Sequence, residues 1–527
     1  CTNGSCVVLK PPRVISTRPS SSGAVHDENP LHVKSLPRLI DYAELEKIFS
    51  PEERHVWCQL TEFLRPEFYS DIRSNVGDPT TRALDPSDAV TLMKHGVAEP
   101  CANPRLICGA FTVDELMKVR RRCIHHPMAV NRNKSVPSTK LPALPELKDI
   151  LAWAVMLEDP AVFAADFTSF YYQFPLPQEV RDFFAFRDTD GRVYRLTRLP
   201  MGLSLACALA NFVTSVLARV SVRDSHARFL AYIDNLLFAG TKDVLEVVRK
   251  RFIGLCENVG ITIGDLTDVT LDTSFIGFDF DLASGTIANS LRTTQKFLQL
   301  DVRALNTVRD VLRYFGSLFG LIRLNPSLLA ANFRALKQYR RLCSSVVTER
   351  RHLDSGAAVW PSVFRDLERL TALLRTRPRY AFASVQTTMY VASDASDTGY
   401  GFTKIDTDGI VSAFGESWTI NETRLHINCR ELLAILHTAN RLQLSHADSG
   451  VWVVDNTCAR SAMMKGYSAS ADLNEILRRI VHQHPYLFRN FKFIWVASAY
   501  NPGDPPSRSS FDEVLLRWHM CLPSLSS

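Results

Sequence analysis

The sequence lacks most of the signals that mark secreted, membrane-spanning or zinc-ribbon proteins. Its 12 cysteines include no Cys-x-x-Cys pair, so neither a zinc ribbon nor a disulfide framework is predicted, and we expect reduced thiols in an intracellular protein, cytoplasmic or nuclear. No charged segment followed by an apolar run opens the chain, so no signal peptide is indicated. The long uncharged run over residues 199–218 contains Pro200, Gly202 and several polar residues. A buried helix entered through a Pro-x-Gly turn is therefore predicted, and no membrane partner.

Extremes of composition and charge are absent as well. Of the 527 residues, 46% are hydrophobic and 22% are charged, which is typical of a folded chain of about three domains. The net charge of +6 permits a nucleic-acid partner without requiring one. Residues 291–380, however, hold 17 lysines and arginines against 6 aspartates and glutamates. This segment is predicted to be helical and to contact a phosphate backbone, the alternative being an ordinary solvated surface.

Shifts in composition and in apolar spacing divide the chain into parts. A flexible lead-in rich in Ser and Pro is predicted first, followed by short apolar runs that alternate with helical stretches, as in an α+β domain with antiparallel strands. The basic helical segment comes next, and a second α/β region and a short tail follow it. The expected bounds of these five parts are 1–37, 38–290, 291–386, 387–515 and 516–527.

Two aspartates in the first α+β part lie where a charge is costly. Asp166 ends an apolar run, and Asp234 lies in the segment Tyr232–Asn235 with apolar residues on both sides. A buried carboxylate needs a partner or a metal ion. A turn between two strands would bring Asp234 beside Asp166, and a divalent cation would relieve the repulsion between them. The alternative is that one aspartate forms a turn and the other caps a helix.

Six segments in this part resemble, in order and spacing, the sequence motifs of reverse transcriptases. The resemblance covers roughly residues 85–345 and includes the catalytic motif that begins at Asp166, a Leu-Pro-Met-Gly turn and a Tyr-x-Asp-Asp-like box. The six segments are the fingers segment 120–131, motif A at 166–171, motif B at 199–202, the box at 232–235, a primer-grip hairpin at 275–277 and the start of a thumb at 311–320.

The resemblance implies a role for individual residues. Reverse transcriptases transfer a nucleotide to a primer 3′-hydroxyl with two Mg²⁺ ions, for which Mn²⁺ can substitute. The implied metal ligands are Asp166, the Phe167 carbonyl and Asp234. The implied substrate-binding residues are Arg122 for the triphosphate, Tyr171 as the aromatic gate that selects dNTPs, and Met201 and Gly202 along the nascent base pair.

Asn235 departs from the family pattern, which usually has a second Asp in the box. It stands at a catalytic position and offers a carbonyl oxygen without a charge, so a lower metal affinity is expected. Two interpretations follow from this difference. The chain is either a lineage-specific variant that still polymerises or a decaying copy with little activity.

Four further acids follow the basic segment: Asp394, Glu431, Asp455 and Asp504. Each falls at a predicted strand end, helix start or loop, where functional sites are commonly built, and the alternative is four separate caps or turn formers. Together they resemble the Asp-Glu-Asp-Asp set of ribonuclease H. That resemblance implies that the four carboxylates are catalytic and that they bind Mg²⁺ for the hydrolysis of RNA in an RNA–DNA hybrid. His482 and His484 are candidates for the histidine that many of these nucleases carry.

The complete layout resembles that of LTR-type and tyrosine-recombinase retroelements. The amino-acid sequences of the motifs are most similar to those of the DIRS-like group. The box at residues 232–235 is similar to that of trypanosomatid VIPER or TATE elements. The implied fold is a multidomain α+β chain: a right-hand polymerase with fingers, an antiparallel palm sheet and a helical thumb, then a ribonuclease H-like α/β domain. The implied partners are an RNA template, a DNA primer, an RNA–DNA hybrid and dNTPs. The alternatives are a non-catalytic nucleic-acid-binding scaffold and a hybrid nuclease with an impaired polymerase.

Overall fold

The computed structural model describes residues 30–31, 38–76, 81–115, 120–133, 147–322, 324–381, 387–445 and 447–525. The lead-in predicted over residues 1–37 lies outside the described residues except for residues 30 and 31. The chain divides into two compact units, one within residues 19–287 and the other including residues 288–527. Among the described residues, no helix is both long and apolar enough to cross a membrane.

The first unit combines helices with strands that pair antiparallel. Its helices are α1 (Tyr42–Glu46), α2 (Pro51–Leu60), α3 (Pro86–Lys94), α4 (Met128–Asn131), α5 (Leu147–Ala154), α6 (Ala206–Ser221) and α7 (Lys242–Asn258). Its strands are β1 (Ala98–Pro100), β2 (Gly109–Glu115), β3 (Arg120–His126), β4 (Pro160–Phe167), β5 (Ala185–Arg187), β6 (Val193–Leu196), β7 (Arg228–Tyr232), β8 (Asn235–Thr241), β9 (Ile263–Leu266), β10 (Asp272–Phe275) and β11 (Phe278–Asp281). Strand β12 (Thr286–Asn289) crosses residue 287, where the two units meet in sequence.

A four-stranded sheet with the order β7-β8-β4-β9 forms the centre of the first unit. Most of β4 and β8 is buried. Phe163 of β4 stacks on Phe238 of β8 with ring centroids 4.5 Å apart, and Phe252 of α7 packs on Phe238 at 5.5 Å. The helix predicted in the uncharged run is confirmed as α6, most of whose residues are buried in the same core.

The second unit begins with helices and continues with a mixed sheet. Its helices are α8 (Leu291–Leu298), α9 (Val308–Ile322), α10 (Pro326–Ala331), α11 (Phe333–Thr348), α12 (Pro361–Arg375), α13 (Ile420–Thr423), α14 (Ile427–Arg441), α15 (Thr457–Lys465), α16 (Ala471–Gln483), α17 (Leu487–Asn490), α18 (Asp504–Ser507) and α19 (Val514–Leu525). Its strands are β13 (Tyr380–Ala381), β14 (Met389–Ala395), β15 (Gly399–Asp406), β16 (Val411–Ser417), β17 (Gly450–Val454) and β18 (Phe491–Trp495). The mixed α+β class expected from the sequence is confirmed.

The mixed sheet has the order β16-β15-β14-β17-β18. Strands β14, β15 and β16 pair antiparallel, whereas β17 and β18 run parallel to β14. Side chains alternate between its faces: Val391 and Trp452 lie in the core with α14 and α16, and Ala392 and Val453 lie in the core with α19. Helix α19 therefore covers one face of the sheet, and the boundary at residue 515 expected from the sequence falls inside this helix.

Short helix α18 lies very close to the sheet because glycines face it. A Cβ atom added to Gly415 would stand 2.1 Å from the Pro506 carbonyl oxygen, and one added to Gly401 would stand 2.1 Å from the Ser507 nitrogen. Real Cβ atoms do not approach backbone atoms so closely, so side chains at these positions would push α18 away from β15 and β16.

We expect Gly415→Ala to lower the free energy of unfolding of the protein by about 1–3 kcal/mol, because α18 must shift to accommodate the new methyl group. The matched control is Gly316→Ala in α9, where an added Cβ meets nothing within 4 Å. That variant should raise the free energy of unfolding by about 0.5–1 kcal/mol, because alanine is the better helix former. Urea unfolding of both variants measures the difference. Equal effects of the two substitutions would contradict the packing argument.

Candidate catalytic sites

The first acidic pair lies at one end of the four-stranded sheet. Strands β7 and β8 form a hairpin in which Tyr232 pairs with Asn235, so that Ile233 and Asp234 make a two-residue turn. On the other side of β8, Asp166 of β4 pairs with Asn235. The Phe167 N–H donates a hydrogen bond to the Asp234 carbonyl oxygen at 3.3 Å. The structure therefore brings Asp166, Phe167, Asp234 and Asn235 together.

The turn itself is strained at its first residue. Ile233 has a φ of 59°, a backbone conformation that a β-branched side chain rarely adopts. Holding such a residue costs on the order of 1–3 kcal/mol, which the surrounding structure must offset. Asp234 follows this strained residue and lies at the tip of the hairpin.

Asn235 interacts directly with the neighbouring carboxylate. Its side-chain amide donates a hydrogen bond to Asp234 Oδ1 at 2.8 Å. An amide donor stabilises a carboxylate without adding negative charge. The turn thus carries one carboxylate held by an amide, where the reverse transcriptase pattern has two carboxylates.

Tyr171 lies just after strand β4, in a 3₁₀ turn formed by Phe170–Gln173. Its hydroxyl makes a hydrogen bond with Cys207 Sγ at 3.2 Å. Burial raises the pKa of Tyr171, as do Cys207 and the charge of Asp234, while the Arg122 guanidinium opposes the rise. Arg122 and Asp234 therefore both act electrostatically on the residue predicted to be the gate.

The loop with Met201 and Gly202 packs against the end of strand β3. A Cβ atom at Gly202 would stand 2.0 Å from the His125 carbonyl oxygen, so only glycine fits there. Asn131 bonds to both sides of the loop, donating to the Gly202 carbonyl oxygen at 2.9 Å and accepting from the Ser204 N–H at 2.8 Å. Asn131 was predicted only as the end of the fingers segment, so its role in this loop was missed.

The second acidic group is more compact. Asp394 is the penultimate residue of β14, Glu431 lies in the first turns of α14 and Asp455 follows β17. Each of the three residues offers one carboxylate oxygen, and these three oxygens all lie within 4.8 Å of one another. In the part of the chain that the structure describes, this is the one group of three or more acids, histidines or cysteines with such spacing.

Burial and mutual repulsion perturb these acids. Burial and the charge of Asp455 raise the pKa of Asp394 to about 7, although Ser507 Oγ donates to Asp394 Oδ2 at 2.8 Å. Burial and the charges of Asp394 and Asp455 raise the pKa of Glu431 to about 10. Carboxylates that are buried together in this way suit a divalent cation with oxygen ligands, because its charge offsets both the desolvation and the repulsion.

Asp504 is held by arginines. Its Oδ2 accepts from Arg517 at 2.8 Å, and its Oδ1 lies 3.1 Å from Arg508. It lies at the start of α18, near enough for its charge to contribute to the raised pKa of Asp394. The structure therefore gathers three of the four predicted acids into one group and pairs the fourth with Arg508 and Arg517. Arg517 was missed by sequence reasoning, since it lies in the predicted tail.

The two candidate histidines differ in environment. His484 is buried, its Nδ1 makes a hydrogen bond with the Tyr486 hydroxyl at 2.6 Å and its Nε2 makes one with Asn440 Oδ1 at 2.6 Å. Burial lowers the pKa of His484. His482 is exposed near the end of α16. Both ring nitrogens of His484 are thus engaged within the core.

Comparisons with known proteins give a fold-level resemblance only. No protein-family model and no curated protein matches the chain. A foamy viral protease-reverse transcriptase in complex with double-stranded DNA gives a TM-score of 0.47 at 13% identity, over 89% of this chain and 83% of that chain. The protein in complex with an RNA/DNA hybrid gives 0.46 at 13% identity, over 88% of this chain and 64% of that chain. A further complex with double-stranded DNA gives 0.45 at 15% identity, over 88% and 99%.

The raised pKa values predict how stability depends on pH without metal ions. An unfolded carboxyl group ionises near pH 4. Since the folded pKa of Glu431 is about 10, the unfolded chain binds fewer protons above pH 4, and stability falls as pH rises. We expect Glu431→Gln to reduce this loss between pH 5 and pH 8 by about 4 kcal/mol.

The measurement is urea unfolding at the two pH values in the presence of EDTA. Asp512→Asn, at an exposed position, serves as the control and should leave the pH dependence of the parent unchanged. An identical pH dependence in Glu431→Gln and the parent would contradict the burial argument.

Proposed function

We propose that the chain is the RNA-directed DNA polymerase and ribonuclease H of a retroelement, of the DIRS-like group. It extends a DNA primer on an RNA template with dNTPs and hydrolyses the RNA of the resulting hybrid. In this proposal residues 38–290 act as fingers and palm, residues 291–386 as the basic thumb and connection, and residues 387–515 as the nuclease. Its working compartment is intracellular.

The observation that carries the nuclease half is the group formed by Asp394, Glu431 and Asp455. Three acidic side chains with ligand oxygens within 4.8 Å of one another fit a divalent cation. Bound Mg²⁺ would supply an activated water and charge stabilisation for phosphodiester hydrolysis. Asp504 would join them as the fourth acid. Ser507 and Asn501 support the group, because both donate towards Asp394, at 2.8 and 3.4 Å.

The polymerase half is supported by the register of the sheet. Pairing of Asp166 with Asn235 places motif A against the turn that carries Asp234. Asp166, the Phe167 carbonyl and Asp234 would hold Mg²⁺ or Mn²⁺, Arg122 would bind the triphosphate, and Tyr171 would exclude ribose. Met201 and Gly202 would line the nascent base pair on a loop that Asn131 fixes in place.

A second candidate function is a hybrid nuclease whose polymerase is impaired. It is favoured by the side chain of Asn235, which gives the turn a neutral amide that donates to Asp234. With one carboxylate fewer than the family pattern, this site has less negative charge with which to bind a cation.

For the nuclease, we expect Asp394→Asn or Asp455→Asn to lower the rate of hybrid cleavage by at least about 10²-fold, because the cation loses a ligand. Hybrid binding should change little, since the substitutions remove negative charge only. Cleavage of a labelled RNA–DNA hybrid and its binding by fluorescence anisotropy measure both quantities. Asp472→Asn, an exposed acid at the start of α16, is the control. An unchanged cleavage rate in either active-site variant would refute the nuclease assignment.

For the polymerase, we expect the parent to extend a DNA primer on an RNA template with dNTPs, and Asp234→Ala to abolish the extension. The assay is run in Mg²⁺ and separately in Mn²⁺, with Asn235→Asp as the comparison. Extension by Asn235→Asp but not by the parent would support the impaired-polymerase alternative. If neither protein extends the primer, the polymerase proposal is refuted. The proposed function is then reduced to the nuclease, which the hybrid-cleavage assay tests separately.

A further inference from the structure

Three of the residues with polar side chains in α6 lie on one face of the helix. Cys207, Asn211 and Thr214 follow one another at spacings of four and three residues. Residues at these spacings share one face of a helix. We call this set the polar stripe. Every member of the polar stripe makes a hydrogen bond to a part of the polymerase-like site.

Two members of the polar stripe hold the strained residue of the hairpin turn. The Ile233 N–H donates to Asn211 Oδ1 at 2.9 Å. The Ile233 carbonyl oxygen accepts from Thr214 Oγ1 at 2.5 Å, and the same hydroxyl lies 2.9 Å from the Ala210 carbonyl oxygen. Both polar backbone groups of Ile233 are therefore bound by side chains of a single helix. This arrangement fixes the peptide plane immediately before Asp234.

The third member holds the residue predicted to be the gate. Cys207 Sγ is 3.2 Å from the Tyr171 hydroxyl, and Cys207 lies in the first turn of α6. This hydrogen bond restrains the position of the Tyr171 ring at its hydroxyl end. Because the contacts to Tyr171 and to Ile233 all come from α6, this helix links the position of the Tyr171 ring to that of the turn with Asp234.

We propose that the polar stripe of α6 is a set of positioning residues that sets the geometry of the polymerase site. Asn211 and Thr214 hold the turn that presents Asp234, and Cys207 holds Tyr171 for the selection of dNTPs over rNTPs. This proposal rests on the proposed polymerase function, and it adds three residues that the resemblance to reverse transcriptases did not assign.

The turn is tested with isosteric variants. Thr214→Val removes the hydroxyl, whereas Thr214→Ser keeps it. Ser221→Ala is the control for a purely structural role, because the Ser221 hydroxyl is buried on the same helix and bonds only to the Leu217 carbonyl oxygen among the described contacts. Amide hydrogen exchange of the peptide 229–237 is measured for each variant with its kcat for primer extension.

We expect Thr214→Val to raise the exchange rate of this peptide and to lower kcat by about tenfold, with a nearly unchanged KM for dNTP. Thr214→Ser and Ser221→Ala should resemble the parent in both measurements. Equal effects in Thr214→Val and Ser221→Ala, or no effect of Thr214→Val, would overturn the proposal for the turn. If the parent does not extend primers, the proposed function fails, and the exchange measurement alone decides whether the polar stripe holds the turn.

The gate is tested with a double-mutant cycle. Cys207→Ala should lower the discrimination against rNTPs by about fivefold, which is the loss expected for one hydrogen bond, and Cys207→Ser should restore it. In a Tyr171→Phe background, Cys207→Ala should have no further effect, because the hydroxyl through which it acts is gone. Additive effects of the two substitutions, or discrimination unchanged in Cys207→Ala, would overturn the proposal for the gate.

Discussion

The repulsion between the carboxylates of Asp394, Glu431 and Asp455 is the constraint on which the second candidate site depends. At the end of β14 and β17, burial makes the negative charge of Asp394 and Glu431 costly, and the pKa of Glu431 rises to about 10. The fold keeps these acids close although their approach is unfavourable without a cation. An arrangement that lowers stability in the metal-free state points to a function for the group, because packing alone gives no reason to keep it.

Close backbone packing and buried polar contacts hold the acids where they are. Gly401 and Gly415 let α18 lie on the sheet, which places Ser507 beside Asp394. In the first unit, α6 performs the corresponding task for the turn that carries Asp234. Asp166, Asp234, Asp394 and Asp455 lie at strand ends or in adjacent turns, whereas Glu431 lies on helix α14. Side chains from helices α6 and α18 help to hold two of these positions, the turn with Asp234 and the carboxylate of Asp394.

Much of the candidate sites could be predicted because strand pairing follows from the sequence motifs. Once residues 160–167 and 235–241 are strands, an antiparallel register can place Asp166 beside the turn with Asp234. The contact of Asp504 with Arg517 could not be predicted, since it depends on how α19 docks. Helix α19 itself had a signal: Val514, Trp518 and Cys521 share one face and are buried. The polar residues of α6 indicated only that the helix does not span a membrane.

Asn235 has two opposing physical consequences. As a neutral residue it removes one repulsive charge from the turn and so reduces the attraction for a cation. As a donor it fixes Asp234 Oδ1 at 2.8 Å, which reduces the conformational freedom that this carboxylate would lose on binding a metal ion. A second aspartate would supply the charge but could not, while ionised, donate this hydrogen bond. In the proposed polymerase site, cation binding at this turn would therefore depend more on preorganisation and less on charge than in the reverse transcriptase pattern, and the hydrogen bonds from α6 to Ile233 would act in the same direction.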